Sequence, residues 1–181
     1  MPNAVFRQVA PDDSQTFEQI IEIAQPNAAR LFDDFFNLEQ RAFTHKITRL
    51  INCTLPYFWT IHDPKTSAVA GFVYLYDLVG CGNFVFSASV ATCFRRKYWG
   101  KFARGAAREF FAYAADVLKI YRLNAEVFRP NTYPKRFLRD IGFKYSYSKP
   151  QDTLNSRLSP LDAFCDIDVF TLELTNPKEN L

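Results

Sequence analysis

A chain of 181 residues, 48% hydrophobic and 23% charged, can bury a core without disulfides or a structural metal, and its composition is globular and not disordered. A net charge of +3 is too small to argue for nucleic acid or a membrane surface as partner. Four scattered cysteines (Cys53, Cys81, Cys93, Cys165) and two histidines (His45, His62) offer no pair at zinc-site spacing, so no metal centre is expected. No apolar run approaches the roughly 20 residues of a membrane span, and the opening residues do not read as a secretory leader. The expectation is one domain over 1–181, cytoplasmic, with reduced thiols. Nineteen Phe, nine Tyr and two Trp against one Met predict an aromatic core.

Residues 4–9 alternate and stop at Pro11, Asp12, Asp13 and Ser14, the pattern of a short strand running into a helix cap. Phe17, Ile20, Ile21, Ile23 and Ala24 recur at helical spacing up to Pro26, and apolar residues continue that period over 28–51 as one long or two short helices. Residues 56–62 and 69–76, rich in aromatic and β-branched types, flank the turn cluster 63–67 and predict a hairpin. A turn at 80–83 leads into an eleven-residue strand, 84–94. An amphipathic helix over 101–120, a strand over 123–128, a short helix over 132–140 closed by Gly142, and strands over 143–148 and 168–174 complete the order. Strand, helix and strand over 84–128 form a βαβ unit, so its two strands are expected to be parallel. The hairpins supply antiparallel pairings. The fold class is α/β (α+β): a mixed, largely antiparallel sheet of six to seven strands with helices on both faces.

Chemistry concentrates where the strand over 84–94 meets the helix at 101. Six basic residues (Arg95, Arg96, Lys97, Lys101, Arg104, Arg108) fall within fourteen positions free of acids, and Gly100 sits among them. Such a run is commonly a solvated face. Here it precedes a helix start, whose first amides lack internal partners and whose dipole favours an anion. A phosphate is therefore expected on the amides from Tyr98 to Ala103, with Lys97 and Lys101 adding charge-assisted contacts and Gly100 allowing close approach.

The order of elements and this segment resemble the GNAT acetyltransferase superfamily, whose acetyl-CoA signature is Q/R-x-x-G-x-G/A at the same junction. Aligned on it, the chain reads Lys97-Tyr98-Trp99-Gly100-Lys101-Phe102. Lys97 replaces Gln or Arg and keeps a donor; Phe102 replaces a small residue. Asn131, a short helix and Gly142-Phe143 resemble the family's ending of that region. The wording around Tyr98 to Lys101 looks most like the branch of ribosomal-protein N-terminal and spermidine-type acetyltransferases.

The resemblance implies acetyl-CoA as acyl donor. Its pyrophosphate would lie on Lys97, Tyr98, Trp99, Gly100, Lys101, Phe102 and Ala103. Its pantetheine arm would bond Thr92, Cys93 and Phe94 on one side and Asn131 on the other. It also implies an amine-bearing acceptor, on a peptide, protein or small molecule, attacked directly. A lysine-like amine is neutral in only about one molecule in 2,500 at pH 7 and an α-amine in roughly one in seven, so the first needs a base more than the second. Glu126 is the strand-borne carboxylate expected nearest the site and the candidate base, although an isolated strand Glu is more often solvated or paired. The family's frequent acid, a tyrosine four positions before the Gly of Gly-Phe, is Leu138 here, with Tyr133 a nearby substitute. Cys93 as a nucleophile lacks a neighbouring histidine and reads as a small core residue. The alternatives to an N-acetyltransferase are a non-catalytic protein of this fold and, with no recognised motif to support it, a nucleic-acid-binding module.

Overall fold

The computed structural model describes residues 4–27, 40–81, 84–129, 131–150 and 166–174. Within them the chain runs β1 (Val5–Gln8), α1 (Ser14–Ala24), α2 (Gln40–Thr54), β2 (Phe58–His62), β3 (Val69–Cys81), β4 (Phe84–Phe94), α3 (Lys101–Asp116), β5 (Arg122–Phe128), α4 (Thr132–Asp140), β6 (Lys144–Lys149) and β7 (Ile167–Glu173), with 3-10 turns at Gln25–Asn27 and Arg96–Tyr98. The expected helical stretch over 28–39 and the loop over 151–165 lie outside the described residues. Seven strands form one sheet in the order β1-β2-β3-β4-β5-β7-β6. Every neighbouring pair is antiparallel except β4 and β5, which are parallel as a βαβ crossover requires.

Two apolar clusters, one on each sheet face, hold the layers together. Asp13 caps α1 by accepting from the Thr16 amide (2.9 Å) and hydroxyl (2.6 Å), and Phe17, Ile20, Ile23 and Ala24 of α1 are buried. They pack with Phe43, Ile47 and Ile51 of α2 against Phe58, Phe72, Tyr74 and Cys93 of the sheet. On the other face α3 turns Ala103, Ala106, Ala107, Phe110, Phe111 and Ala114 inward, and its small residues let Trp59, Val73, Val90 and Leu123 approach closely. The aromatic excess fills these layers, as in Phe58 stacked on Tyr74 at 5.3 Å and Trp59 edge-on to Phe110 at 5.2 Å.

The structure corrects three boundaries. Helix α3 ends at Asp116, four residues short of expectation, because Lys119 adopts a left-handed φ of 57° and sends the Ile120 amide back to the Ala114 carbonyl (3.0 Å). Val117, inside the expected helix, is exposed. Strand β3 continues past Tyr76 to Cys81, after a register shift between Tyr76 and Val79 at which Asp77 takes a φ of 48°. Strand β2 starts at Phe58, two residues after the expected start. Gly142, with a φ of 104°, follows α4 in the conformation expected of it.

Candidate active site

Strands β4 and β5 part. Their pairing runs Ser87↔Arg122, Ala88↔Leu123, Ser89↔Asn124 and stops there, although β4 continues to Phe94 and β5 to Phe128. A wedge-shaped gap therefore opens in mid-sheet, toward the ends that lead into α3 and α4. Its walls can be assigned atom by atom from strand alternation. The Arg95 amide donates to the Ala70 carbonyl (2.8 Å), and the Cys93 carbonyl lies so close to Gly71 that a Cβ there would meet it at 2.3 Å. Odd-numbered β4 residues thus spend their backbone groups on β3. On the other side the Tyr121 amide donates to the Phe86 carbonyl (3.3 Å), which turns even-numbered positions toward β5. Thr92 and Phe94 therefore direct amide and carbonyl into the gap, while Cys93 does not. Cys93 is buried, and its thiol contacts the Ile23 carbonyl at 3.7 Å.

The same reasoning fixes the opposite wall. The Arg129 amide donates to Asp166 and the Leu174 amide to Tyr121, at 2.8 and 2.7 Å, so odd positions of β5 face β7. Glu126 and Phe128 consequently turn their backbone groups to the gap.

Where β4 ends, a phosphate cradle is prepared. The amides of Tyr98 and Trp99 donate to Arg95 (2.9 Å) and Arg96 (3.3 Å), closing the short turn. These two amides are therefore not available to an anion, a correction to the expected stretch. The first helical bond of α3 runs from the Arg104 amide to the Gly100 carbonyl (3.1 Å), and no side chain caps the helix. Among the described residues the amides of Gly100, Lys101, Phe102 and Ala103 have no backbone partner, and they stand at the positive end of the helix dipole. Gly100 holds φ 92° and ψ −123°, a conformation that side chains rarely tolerate, and the space in front of its Cα is open.

Phe102, the departure from the family's small residue, does not fill that space. Its ring lies against Tyr98 (5.0 Å) and edge-on to Phe94 (6.4 Å), and Trp99 packs edge-on to Phe94 and to Phe137 of α4. Tyr98 is buried, and its hydroxyl donates to Asp63 in the β2–β3 turn (3.4 Å), so the aromatic residues of the motif pin the loop.

The six cations divide by task. Arg95 pairs with Glu22 (3.1 Å) and donates to the Val69 carbonyl (3.1 Å); Arg104 and Arg108 reach the carboxylate and carbonyl of Asp140 at 3.5 and 3.2 Å. These three tie elements together. Arg96, Lys97 and Lys101 have no acidic partner among the described residues; Lys97 sits 5.0 Å from the centre of the Tyr98 ring.

Asn131 stands at the N-cap of α4, across the gap from β4. Its side chain makes no capping bond, and its amide donates to the Phe128 carbonyl (2.9 Å). The region is braced from beneath by Asp168 of β7, which accepts from Lys135, from Ser148 (2.7 Å) and from Arg129 (3.3 Å). Lys135 also donates to the Arg129 carbonyl at 2.6 Å. Burial pushes the Asp168 carboxyl up, but the hydrogen bonds from Lys135, Ser148 and Arg129 outweigh it and hold the group below the usual carboxylate range.

Glu126 lies two residues beyond the last paired rung, its side chain on the face opposite the buried Leu123, Ala125 and Val127. It accepts from the Lys149 ammonium at 2.7 Å. That hydrogen bond, set against the cost of burial, raises the Lys149 pKa, and the charges of Glu126, Tyr147 and Asp77 add to it. Lys149 and Asp77 did not emerge from the sequence. Leu138 is buried in the apolar cluster beside α3, and Tyr133 is 82% exposed, so neither places a phenol inside the gap. Among the described residues no group of acids, cysteines and histidines could hold a metal ion, and no helix is long and apolar enough to cross a membrane.

The family model of the acetyltransferase (GNAT) domain matches residues 3–144. Comparison with curated protein sequences finds no match. Among solved structures, the chain resembles spermidine N-acetyltransferase from Vibrio cholerae in complex with CoA and spermine, with a TM-score of 0.71 at 13% identity, over 95% of this chain and 96% of that one. It resembles ribosomal-protein-S5-alanine acetyltransferase from Vibrio fischeri with a TM-score of 0.70 at 13% identity, over 97% and 96% of the two chains. A Salmonella typhimurium protein solved with its cofactor acetyl-CoA gives 0.63 at 14% identity, over 95% and 94%. A parted parallel pair beside an uncapped helix start defines an acyl-CoA-binding fold. This chain belongs to the GNAT acetyltransferase family, and acetyl-CoA is its acyl donor.

Proposed function

We propose that the protein transfers the acetyl group of acetyl-CoA to an amine, on a peptide, protein or small molecule, by direct attack on the thioester. The observation that carries this reading is the β4–β5 gap, which opens past Ser89↔Asn124 and leads to the free amides at the start of α3. The pyrophosphate lies on the amides of Gly100, Lys101, Phe102 and Ala103, with Lys97 and Lys101 supplying charge. The pantetheine arm adds itself to β4 as an extra strand through Thr92 and Phe94, with Asn131 facing it. An amide on that wall, aimed at the thioester oxygen, stabilises the tetrahedral intermediate, usually the largest contribution in acyl transfer. Trp99 and Phe102 shape the loop, and Cys93 holds β4 to β3 and α1 without reacting.

Glu126 is the base that receives the amine's proton, directly or through water. With a leucine at position 138, the leaving thiolate is protonated by solvent or by the acid form of Glu126. The acceptors named for two of the resembling structures, spermidine and a ribosomal-protein alanine, are amines, which supports an amine here.

The test is a thermal-shift titration with CoA in the wild type and in Gly100→Glu. A native-state ligand at one hundred times its dissociation constant stabilises by about 2.7 kcal/mol. The wild type is expected to gain that increment. The variant is expected to gain none, because a carboxylate would stand where the phosphate binds. An equal shift in both would move the cofactor to another place.

A further inference from the structure

Lys149 reaches a long way to meet Glu126. It belongs to β6, whereas Glu126 belongs to β5, and β7 lies between them. Two strand spacings separate the backbones by about 10 Å. The lysine side chain therefore leans over β7 toward the parted strands, and its ammonium ends 2.7 Å from the Glu126 carboxylate. Glu126 is a residue of the gap wall, two positions past the last β4–β5 rung. The Lys149 side chain keeps 42% of its accessible surface. A primary amine thus stands beside the candidate base, against the strand that forms one wall of the gap.

We propose that Lys149 is an intramolecular acetylation site, modified by the protein's own acetyl-CoA site. This inference rests on the acetyl-CoA reading of the gap given above. The ammonium gives one proton to Glu126, and the freed nitrogen lone pair attacks the thioester carbonyl. The C–N bond forms, the tetrahedral intermediate collapses and the C–S bond breaks. The second proton lost by nitrogen ends on the departing thiolate to give free CoA thiol, and Glu126 returns the first to solvent. No further reactant is needed. Holding amine and thioester in one molecule makes the step unimolecular, with the large effective concentration that orientation supplies. The modification also removes the cation from Glu126 and leaves an acetamide in its place.

The experiment incubates the purified full chain with acetyl-CoA and follows intact mass, with peptide mapping of the product. The expected result is one acetyl group at Lys149, with a rate independent of protein concentration. Lys149→Arg keeps a cation for Glu126 yet is expected to give no acetylation at that position. Glu126→Gln is expected to slow the wild-type reaction by about 10²-fold or more. Three results would overturn the proposal: acetyl-CoA stabilises the protein but Lys149 stays unmodified; exposed lysines elsewhere are acetylated equally fast; or the rate rises in proportion to protein concentration. If acetyl-CoA does not stabilise the protein at all, the reading of the gap itself fails, and this inference falls with it.

Discussion

The two ends of the active site are built in opposite ways. The proposed cofactor end is drawn from a short continuous segment, 92–103, and offers backbone groups: amides of Thr92 and Phe94 on the gap wall, amides of Gly100 to Ala103 at the helix start. The proposed acceptor end is drawn from β5 and β6 and offers side chains, Glu126 and Lys149. A site made of main-chain groups survives side-chain change as long as the backbone path is kept. This explains how Phe102 stands where the family prefers a small residue: its ring is turned onto Tyr98 and Phe94, away from the amides. A site made of side chains has no such tolerance; the family's tyrosine position is Leu138, buried in the apolar cluster beside α3.

Substitutions at the two ends should therefore separate turnover from binding. The largest effect is expected for Glu126→Gln at the acceptor end, where turnover with a genuine acceptor should fall by roughly 10²- to 10⁴-fold while CoA affinity stays nearly unchanged. Steady-state kinetics beside a CoA titration reads both. Full activity in that variant would leave the neutral fraction of the substrate, or solvent, as the proton route.

Gly71→Ala strikes the cofactor end from β3, behind the gap wall. Its new Cβ would meet the Cys93 carbonyl at 2.3 Å and Phe94 Cδ1 at 2.9 Å, so β4 must shift. We expect a loss of about 1–3 kcal/mol of stability together with weaker CoA binding. Denaturant unfolding and calorimetry check the pair, and a stable variant with unchanged affinity would mean that the path of β4 is less critical than this account requires.

Asp168→Asn strikes the brace between the two ends. Removing the charged acceptor of Lys135, Ser148 and Arg129 should cost about 1–3 kcal/mol at neutral pH. The sign of its pH dependence follows from the lowered carboxyl pKa. The folded value lies below the unfolded one of about 3.9, so this contribution is complete above that value and is lost as pH falls through the lower, folded one. Acid denaturation curves of wild type and variant should therefore converge below about pH 4. Parallel curves would show that Asp168 titrates alike in both states.

How much of this was legible in the sequence follows from the same division. The strand-to-helix junction at 94–101 was readable because strand, basic run, glycine and helix start are adjacent in the chain, and the βαβ spacing alone fixed the parallel pair. Which backbone groups face the gap was not readable, since it depends on the pairing register: Cys93, between two gap-facing neighbours, spends its backbone on β3. The Tyr98 and Trp99 amides were miscounted because the turn that consumes them has no sequence signature. Lys149 was invisible for a deeper reason. It meets Glu126 only because β7, last in sequence, inserts between β5 and β6, a pairing that no local pattern encodes.

The central claim is that acetyl-CoA is held by backbone groups of alternate β4 residues and of the first turn of α3. Residue-resolved amide exchange, followed by NMR with and without CoA, tests it directly. The amides of Thr92, Phe94, Gly100, Lys101, Phe102 and Ala103 should exchange rapidly in the free protein and become protected on binding, while that of Cys93 is slow in both states. Unchanged exchange at Thr92, Phe94 and the first turn of α3 under saturating CoA, or new protection elsewhere, would contradict the account.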